Sequence, residues 1–285
     1  MSARLSNWIA ARRAAGAAVV LVTVAQARGS APRDAGTVMA VTADALSGTI
    51  GGGRLEWEAL ARAREILAAG RGGTDSLDLP LGPALEQCCG GHVVLKLALV
   101  DDAALARVAA AEREEAAALP QVAVFGAGNV GQALLRALRP LPLRRLWHDR
   151  RADIFPAGTD AETDRGDPLD LVGRLAPGAA VAVMTHDHGL DFKITEAALA
   201  RGDLAYVGLI GSRTKGRRFE RWFVARGGDP RRLDDLTCPI GDFGLRDKRP
   251  AVIAALAAAE VMTALAEHLR ARQIHDGSRF GGGTA

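Results

Sequence analysis

The stretch Val122-Ala123-Val124-Phe125 runs straight into Gly126-Ala127-Gly128-Asn129-Val130-Gly131, and an apolar-periodic segment follows. Few short patterns restrict a fold as tightly. The apolar run reads as a buried strand, the glycines as a tight turn, and Val130 to Leu138 as the helix that the turn opens. The first glycine makes the turn, the second lets a pyrophosphate lie against the backbone, and the third lets helix and strand pack closely. An anion would then sit on the positive end of the helix. Asp149 ends the next strand, 23 residues after Gly126, where a carboxylate can accept the hydroxyl pair of a ribose. Arg150 and Arg151 beside it can meet an extra phosphate. This context predicts a Rossmann-like dinucleotide unit. The other reading keeps the fold with a different ligand or with none.

Strands and helices alternate from Gln121 onward. Strands are expected at Val122 to Phe125, Arg145 to Asp149, Ala180 to Thr185 and Tyr206 to Ile210, and helices at Val130 to Leu138, Ile194 to Ala200, Thr214 to Arg226 and Pro250 to Arg272. That alternation predicts a parallel sheet covered on both faces. Upstream, a helix from Ser6 to Ala15 starts at a Ser or Asn cap, and strands follow at Val19 to Val24 and Gly36 to Val41. A helix at Leu55 to Ala69, a long connection and a strand at His92 to Val100 complete the first part. Ala103 to Ala118 reads as a solvated helical linker that Pro120 stops. The fold class is therefore α/β, with a C-terminal doubly wound parallel sheet over residues 120–285 and a smaller α/β N-terminal domain over residues 1–112. A chain of 285 residues with 48% hydrophobic content can fill two cores.

Several loops carry chemistry. Cys88-Cys89 leads into Gly90-Gly91, and the chain has only three cysteines. Adjacent side chains on extended backbone point in different directions, and the glycines admit close approach, so one thiol faces whatever occupies the loop. Arg28-Gly29-Ser30-Ala31-Pro32-Arg33 and Gly48-Thr49-Ile50-Gly51-Gly52-Gly53-Arg54 are two more glycine-marked loops, the second entering a helix that bears Glu56. Thr185-His186-Asp187-His188-Gly189-Leu190-Asp191 follows a buried strand, where His186, Asp187 and His188 can bind a metal or move protons. Consecutive residues rarely aim three ligands at one point, and Asp187 or Asp191 can instead cap the next helix. Gly211-Ser212-Arg213-Thr214-Lys215 opens another helix, so Ser212, Arg213 and Lys215 form either a phosphate cradle or a capped basic first turn. Cys238 reads as packing.

Composition excludes some partners. The formal charge is +3, with basic and acidic residues interspersed and no cationic stripe, which argues against nucleic acid. Three cysteines cannot form an evenly paired disulfide framework, so a reducing, cytoplasmic location is expected. Arg12-Arg13, the apolar run to Val24 and Ala25-Gln26-Ala27 imitate a signal peptide, but the β-branched run reads as a strand. No apolar run is expected to span a membrane.

Taken together and in order, the stretches Arg28 to Arg33, Thr49 to Glu56, Cys88 to Gly91, Phe125 to Gly131, Thr185 to Asp191, Gly208 to Lys215 and Cys238 to Gly241 resemble the XdhC/CoxI family of molybdoenzyme accessory proteins. The likeness is closest to the XdhC branch, since Ile50-Gly51-Gly52-Gly53 stands where other branches often carry a cysteine. The resemblance implies a homodimeric chaperone that binds molybdenum cofactor (molybdopterin), holds it while a cysteine desulfurase sulfurates it, and delivers it to the xanthine dehydrogenase apoprotein. It implies Cys89 as the thiol that contacts molybdenum, with Cys88 as its neighbour, and glycine amides with Arg33 around the pterin phosphate. Whether the Rossmann half holds a nucleotide, NAD(P) or nothing stays open at this level. The rival reading is an NAD(P)-dependent oxidoreductase. The sole tyrosine, Tyr206, has Ile210 four residues on, so a Tyr-x-x-x-Lys pair is absent, and His186 or His188 would have to act as base. A nucleotide-sensing scaffold without chemistry is a third reading.

Overall fold

A computed structural model describes residues 4–70, 73–81, 91–151, 153–245 and 247–279. The chain divides into two compact units, Met1–Ala117 and Ala118–Ala285. The fold is α/β in both.

The first unit is built on an antiparallel sheet. Its strands are β1 (Val20–Arg28), β2 (Val38–Val41), β3 (Leu46–Gly48), β4 (Thr74–Leu81) and β5 (Gly91–Leu99), in the spatial order β3-β2-β1-β5-β4. Alternation along β1 sends Val20, Val22 and Val24 to one face, where they pack with Leu95 and Leu97 of β5 under Leu55, Ala59 and Ala63 of helix α2 (Gly53–Ala69). The opposite face takes Ile9 of α1 (Leu5–Ala14) and Ala104 and Val108 of α3 (Asp102–Ala118). Helix α3 is thus part of this core, not a solvated linker. Helix α1 starts one residue before Ser6 and has no side-chain cap. Ser6 instead donates its hydroxyl to Glu112 of α3. Strand β4 occupies part of the expected connection. Its two aspartates and Pro80 have low strand propensity, yet they suit an edge, where the outward residues meet water and Leu77 and Leu79 pack inward.

The second unit is a six-stranded, fully parallel sheet. Strands β6 (Gln121–Phe125), β7 (Arg144–His148), β8 (Glu162–Asp164), β9 (Ala180–Val183), β10 (Tyr206–Leu209) and β11 (Leu236–Thr237) lie in the order β11-β10-β9-β6-β7-β8. Numbered within this unit, that order is the doubly wound 3-2-1-4-5-6 arrangement, with its reversal between β6 and β9. Helices α4 (Asn129–Leu138) and α8 (Pro250–Arg279) cover one face. Helices α5 (Pro168–Arg174), α6 (His188–Arg201) and α7 (Arg213–Ala225) cover the other. The central strands are buried throughout: every residue of β6, β9 and β10 lies inside. Helix α6 begins six residues before the expected Ile194, because Asp187 accepts from the Gly189 and Leu190 amides and starts the helix there.

Helix α8 corrects one expectation. Its Pro250–Arg272 portion, which includes an 18-residue stretch of mean hydropathy 1.5, is long and apolar enough to cross a membrane by length and composition. Ala254, Ala257, Ala258, Val261 and Leu265 on it are buried in the core shared with α4. Tyr206 of β10 also donates to Glu260 of α8 at 2.8 Å, which fastens the helix to the sheet.

At the β6–α4 turn Gly126 has φ +115°, and a side chain there would strike the Met184 carbonyl; one at Gly131 would strike the Gly126 carbonyl. Substituting Gly131 by Ala should therefore cost about 2 kcal/mol, as overpacking does. A Cβ on Gly128 meets nothing within 4 Å, so Gly128→Ala should leave the urea-unfolding midpoint nearly unchanged. Equal midpoints for the two variants would contradict this packing.

Candidate functional site

The turn at Gly126 places the second unit's cleft at the sheet's reversal point, where the carboxyl ends of β6, β7 and β9 diverge. This is where open α/β sheets bind ligands. The cleft holds about 260 Å³ and is walled by Gly126, His148 to Arg151, Thr185 to Asp187 and Leu190. A second hollow of about 190 Å³ lies on the flank of α4, against Trp147 and Asp160.

Asp149 is 5% exposed and is turned inward. Its Oδ2 accepts from the Ala127 amide at 2.7 Å and from Arg151 Nη2 at 2.7 Å. Its Oδ1 accepts from the Arg151 amide at 3.1 Å and Arg151 Nε at 2.9 Å. Burial pushes this carboxyl's pKa up, but the Arg151 guanidinium and the Ala127 and Arg151 amides outweigh burial and hold it well below the usual carboxylate range. The turn is fastened from other directions as well. Trp147 Nε1 donates to the Gly126 carbonyl at 3.2 Å, and the Gly126 amide donates to the His148 carbonyl at 2.8 Å. Buried His148 shares its Nε2 with the Gly166 carbonyl at 3.0 Å. Arg150 is exposed and has no side-chain partner among the described residues.

The other cleft wall is organised by Asp191. This fully buried carboxylate accepts from the amide and hydroxyl of Thr185 at 2.9 and 2.7 Å. Its second oxygen accepts from Lys215 Nζ at 2.6 Å, and the ammonium also donates to the Ile210 carbonyl at 2.9 Å. One ion pair thereby ties the ends of β9 and β10 to the first turns of α6 and α7. Lys215 is committed inward, away from a phosphate. Ser212 caps α7 by accepting from the Lys215 amide at 3.3 Å, and Arg213 pairs with Asp242 at 2.9 Å. Asp187 caps α6, and the Leu190 and Gly189 amides lower its pKa. His186 and His188 are exposed and make no bond to a shared point among the described residues.

In the first unit the glycine loops converge. A side chain on Gly91 would strike the Ser30 carbonyl, and one on Gly51 would lie 2.6 Å from the Pro32 ring. Gly51, Gly52 and Gly53 have φ of +122°, +77° and +62°, so the chain enters α2 through three residues in backbone that only glycine adopts readily. Gly52 caps α2 without any side-chain bond, and space lies open above it. Glu56 accepts from the Ile50 amide at 3.1 Å, bracing the turn from behind. Ser30 and Arg33 are exposed on the facing loop. Cys88, Cys89 and Gly90 lie outside the described residues.

Two family models match this chain. Residues 122–261 match the XdhC Rossmann domain, and residues 12–78 match the XdhC and CoxI family. The chain belongs to the XdhC and CoxI family. No curated protein matches it. Among solved structures, a Bacillus halodurans protein described as a xanthine dehydrogenase is 18% identical with TM-score 0.70, covering 92% of this chain and 96% of that one. That likeness shows a shared fold. A variant of an imine reductase from Myxococcus stipitatus, in complex with NAD+, is 21% identical with TM-score 0.32, over 57% of this chain and 62% of that one, and carries nothing further.

For this member of the XdhC and CoxI family, no group of three His, Cys, Asp or Glu side chains suited to a metal occurs among the described residues. Cys238 packs beside Gly216, and burial pushes its thiol up to about 11, so it is protonated at neutral pH. Tyr206 is buried on Glu260 and is no acid for the cleft. Sequence reasoning missed the Asp191–Lys215 pair and the buried His148. Nothing local announces a partner 24 residues away.

Lys215→Met should strand the Asp191 charge and cost about 3–5 kcal/mol in urea unfolding. Adding Asp191→Asn should restore most of that. A double variant no more stable than Lys215→Met would show that the pair is not the source of the loss.

Proposed function

We propose that this chain is a maturation factor for xanthine dehydrogenase, with molybdenum cofactor as its cargo. In this reading the first unit holds the cargo while a cysteine desulfurase supplies the sulfur, and the loaded protein then meets the xanthine dehydrogenase apoprotein. Family membership supports the class of role. The observation that carries the site is the junction of Gly51 to Gly53, Ser30 to Arg33 and Gly91, where the first-turn amides of α2 have no side-chain cap and open space lies above Gly52.

The residues there suit a phosphate-bearing, polar cargo. Amides at a helix start favour an anion, and the exposed Arg33 can add a charge-assisted bond. Cys89, two residues before Gly91 in the sequence, supplies the soft ligand that a thiophilic metal prefers. Glu56, held on the Ile50 amide, keeps the glycine turn in shape.

The test is gel filtration of the purified protein after incubation with molybdenum cofactor. Wild type and Cys88→Ser should carry cofactor through the column, whereas Cys89→Ser should retain about tenfold less, a difference of about 1.4 kcal/mol. Passage of all three without cofactor would overturn the reading, and equal retention by all three would remove the thiol from it.

A further inference from the structure

The second unit's cleft concerns a different ligand and stands independently of the cargo reading. A carboxylate offers about four lone-pair positions on its two oxygens. Around Asp149 four N–H groups occupy them: the Ala127 amide, the Arg151 amide, Arg151 Nε and Arg151 Nη2. A ribose diol would need to donate two further hydroxyls to this carboxylate, and it can do so only by unseating the guanidinium.

Arg151 has the opposite surplus. Of its five N–H groups, Nε–H and one Nη2–H face Asp149, which leaves three. Its side chain is 40% exposed on the cleft wall, against 5% for Asp149. The carboxylate therefore fixes the orientation of a guanidinium whose free edge faces away from it. Arg150, next along the chain and also lining the cleft, has no side-chain partner among the described residues. With Asp149 neutralised by Arg151, Arg150 leaves this wall positive. Among the described residues the only other carboxylate lining the cleft, Asp187, is turned onto the Gly189 and Leu190 amides.

The glycine turn completes a nucleotide-sized arrangement. Helix α4 starts at Gly128 with no side-chain cap, and a Cβ there would meet nothing within 4 Å, so the protein's own packing does not require a glycine. A pyrophosphate close to the turn would require it.

We infer that this cleft binds a dinucleotide whose adenosine ribose carries a phosphate, with Arg151 as the receptor of that phosphate, Arg150 as the second cation and Asp149 as the positioning residue. The ligand class is that of NADP+ in preference to NAD+. The usual assignment is inverted: the acidic residue at the end of the second strand holds an arginine in place of the sugar.

Isothermal titration of the full chain with NADP+ and with NAD+ tests this. NADP+ should bind about tenfold or more tighter, and 2′-AMP should compete with it where 5′-AMP does not. Arg151→Gln should bring NADP+ down to the affinity of NAD+. Asp149→Asn, which keeps the size but loses the charge that orients the guanidinium, should weaken NADP+ without strengthening NAD+. Should either variant fail to fold, two measurements remain: Arg150→Ala at an exposed position should weaken NADP+ several-fold, and raising salt should weaken wild-type binding of NADP+ far more than of NAD+. Binding of NAD+ as tight as or tighter than NADP+, or no binding of either at about millimolar concentration, would overturn the inference and leave the cargo reading intact.

Discussion

The second unit is organised around one carboxylate pressed against one glycine turn. Asp149 accepts the Ala127 amide at the moment the chain leaves β6, and in doing so it joins the ends of β6 and β7 beside the sheet's reversal point. Everything nearby is fitted to that contact. Gly126 must be glycine because the Met184 carbonyl of the neighbouring segment lies where a side chain would be, and Gly131 because the Gly126 carbonyl does. Trp147 holds that same carbonyl from below. A buried charge is expensive unless it is paired and hydrogen-bonded, and Arg151 meets that condition within two residues of Asp149.

A second buried carboxylate, Asp191, repeats this solution on the opposite wall with Lys215. The cleft between them is consequently lined by groups whose charges are largely spoken for. Arg150 and the outer edge of Arg151 are the exceptions, and they give the wall its sign. The first unit solves a different problem. Its antiparallel sheet brings Gly91 against Ser30 and the Gly51 to Gly53 turn against Pro32, at a place built from backbone amides more than from charged side chains. The two units thus present unlike surfaces, one of backbone amides and one of charged side chains.

Much of this architecture was legible in the amino-acid sequence. The fingerprint from Val122 to Gly131 foretells β6, α4 and the doubly wound order, because glycine spacing and strand burial are local properties. Elements without local signals escaped. Strand β4 carries Asp75, Asp78 and Pro80, which suit an edge and disguise a strand; the start of α6 was readable only as one of two options, the cap at Asp187 that the fold adopts. At the site, residue identity was readable but partnership was not. Lys215 looks like a phosphate ligand in Gly-Ser-Arg-Thr-Lys until the fold places Asp191 against it. Asp149 reads as a ribose receptor in the sequence, and nothing in the spacing announces that Arg151 turns back onto its oxygens. Such pairings depend on tertiary approach and rotamer, which no spacing rule encodes.

Asp149 is engaged by the protein itself. Its depressed pKa contributes stability that is present above the unfolded value near 3.9 and is lost as pH falls through the folded value. Urea unfolding of wild type and Asp149→Asn from pH 7 to pH 2 measures that contribution directly. The wild type should lose about 1–3 kcal/mol more than the variant, with the divergence confined to pH values below about 4. Parallel stability curves for the two proteins would contradict it.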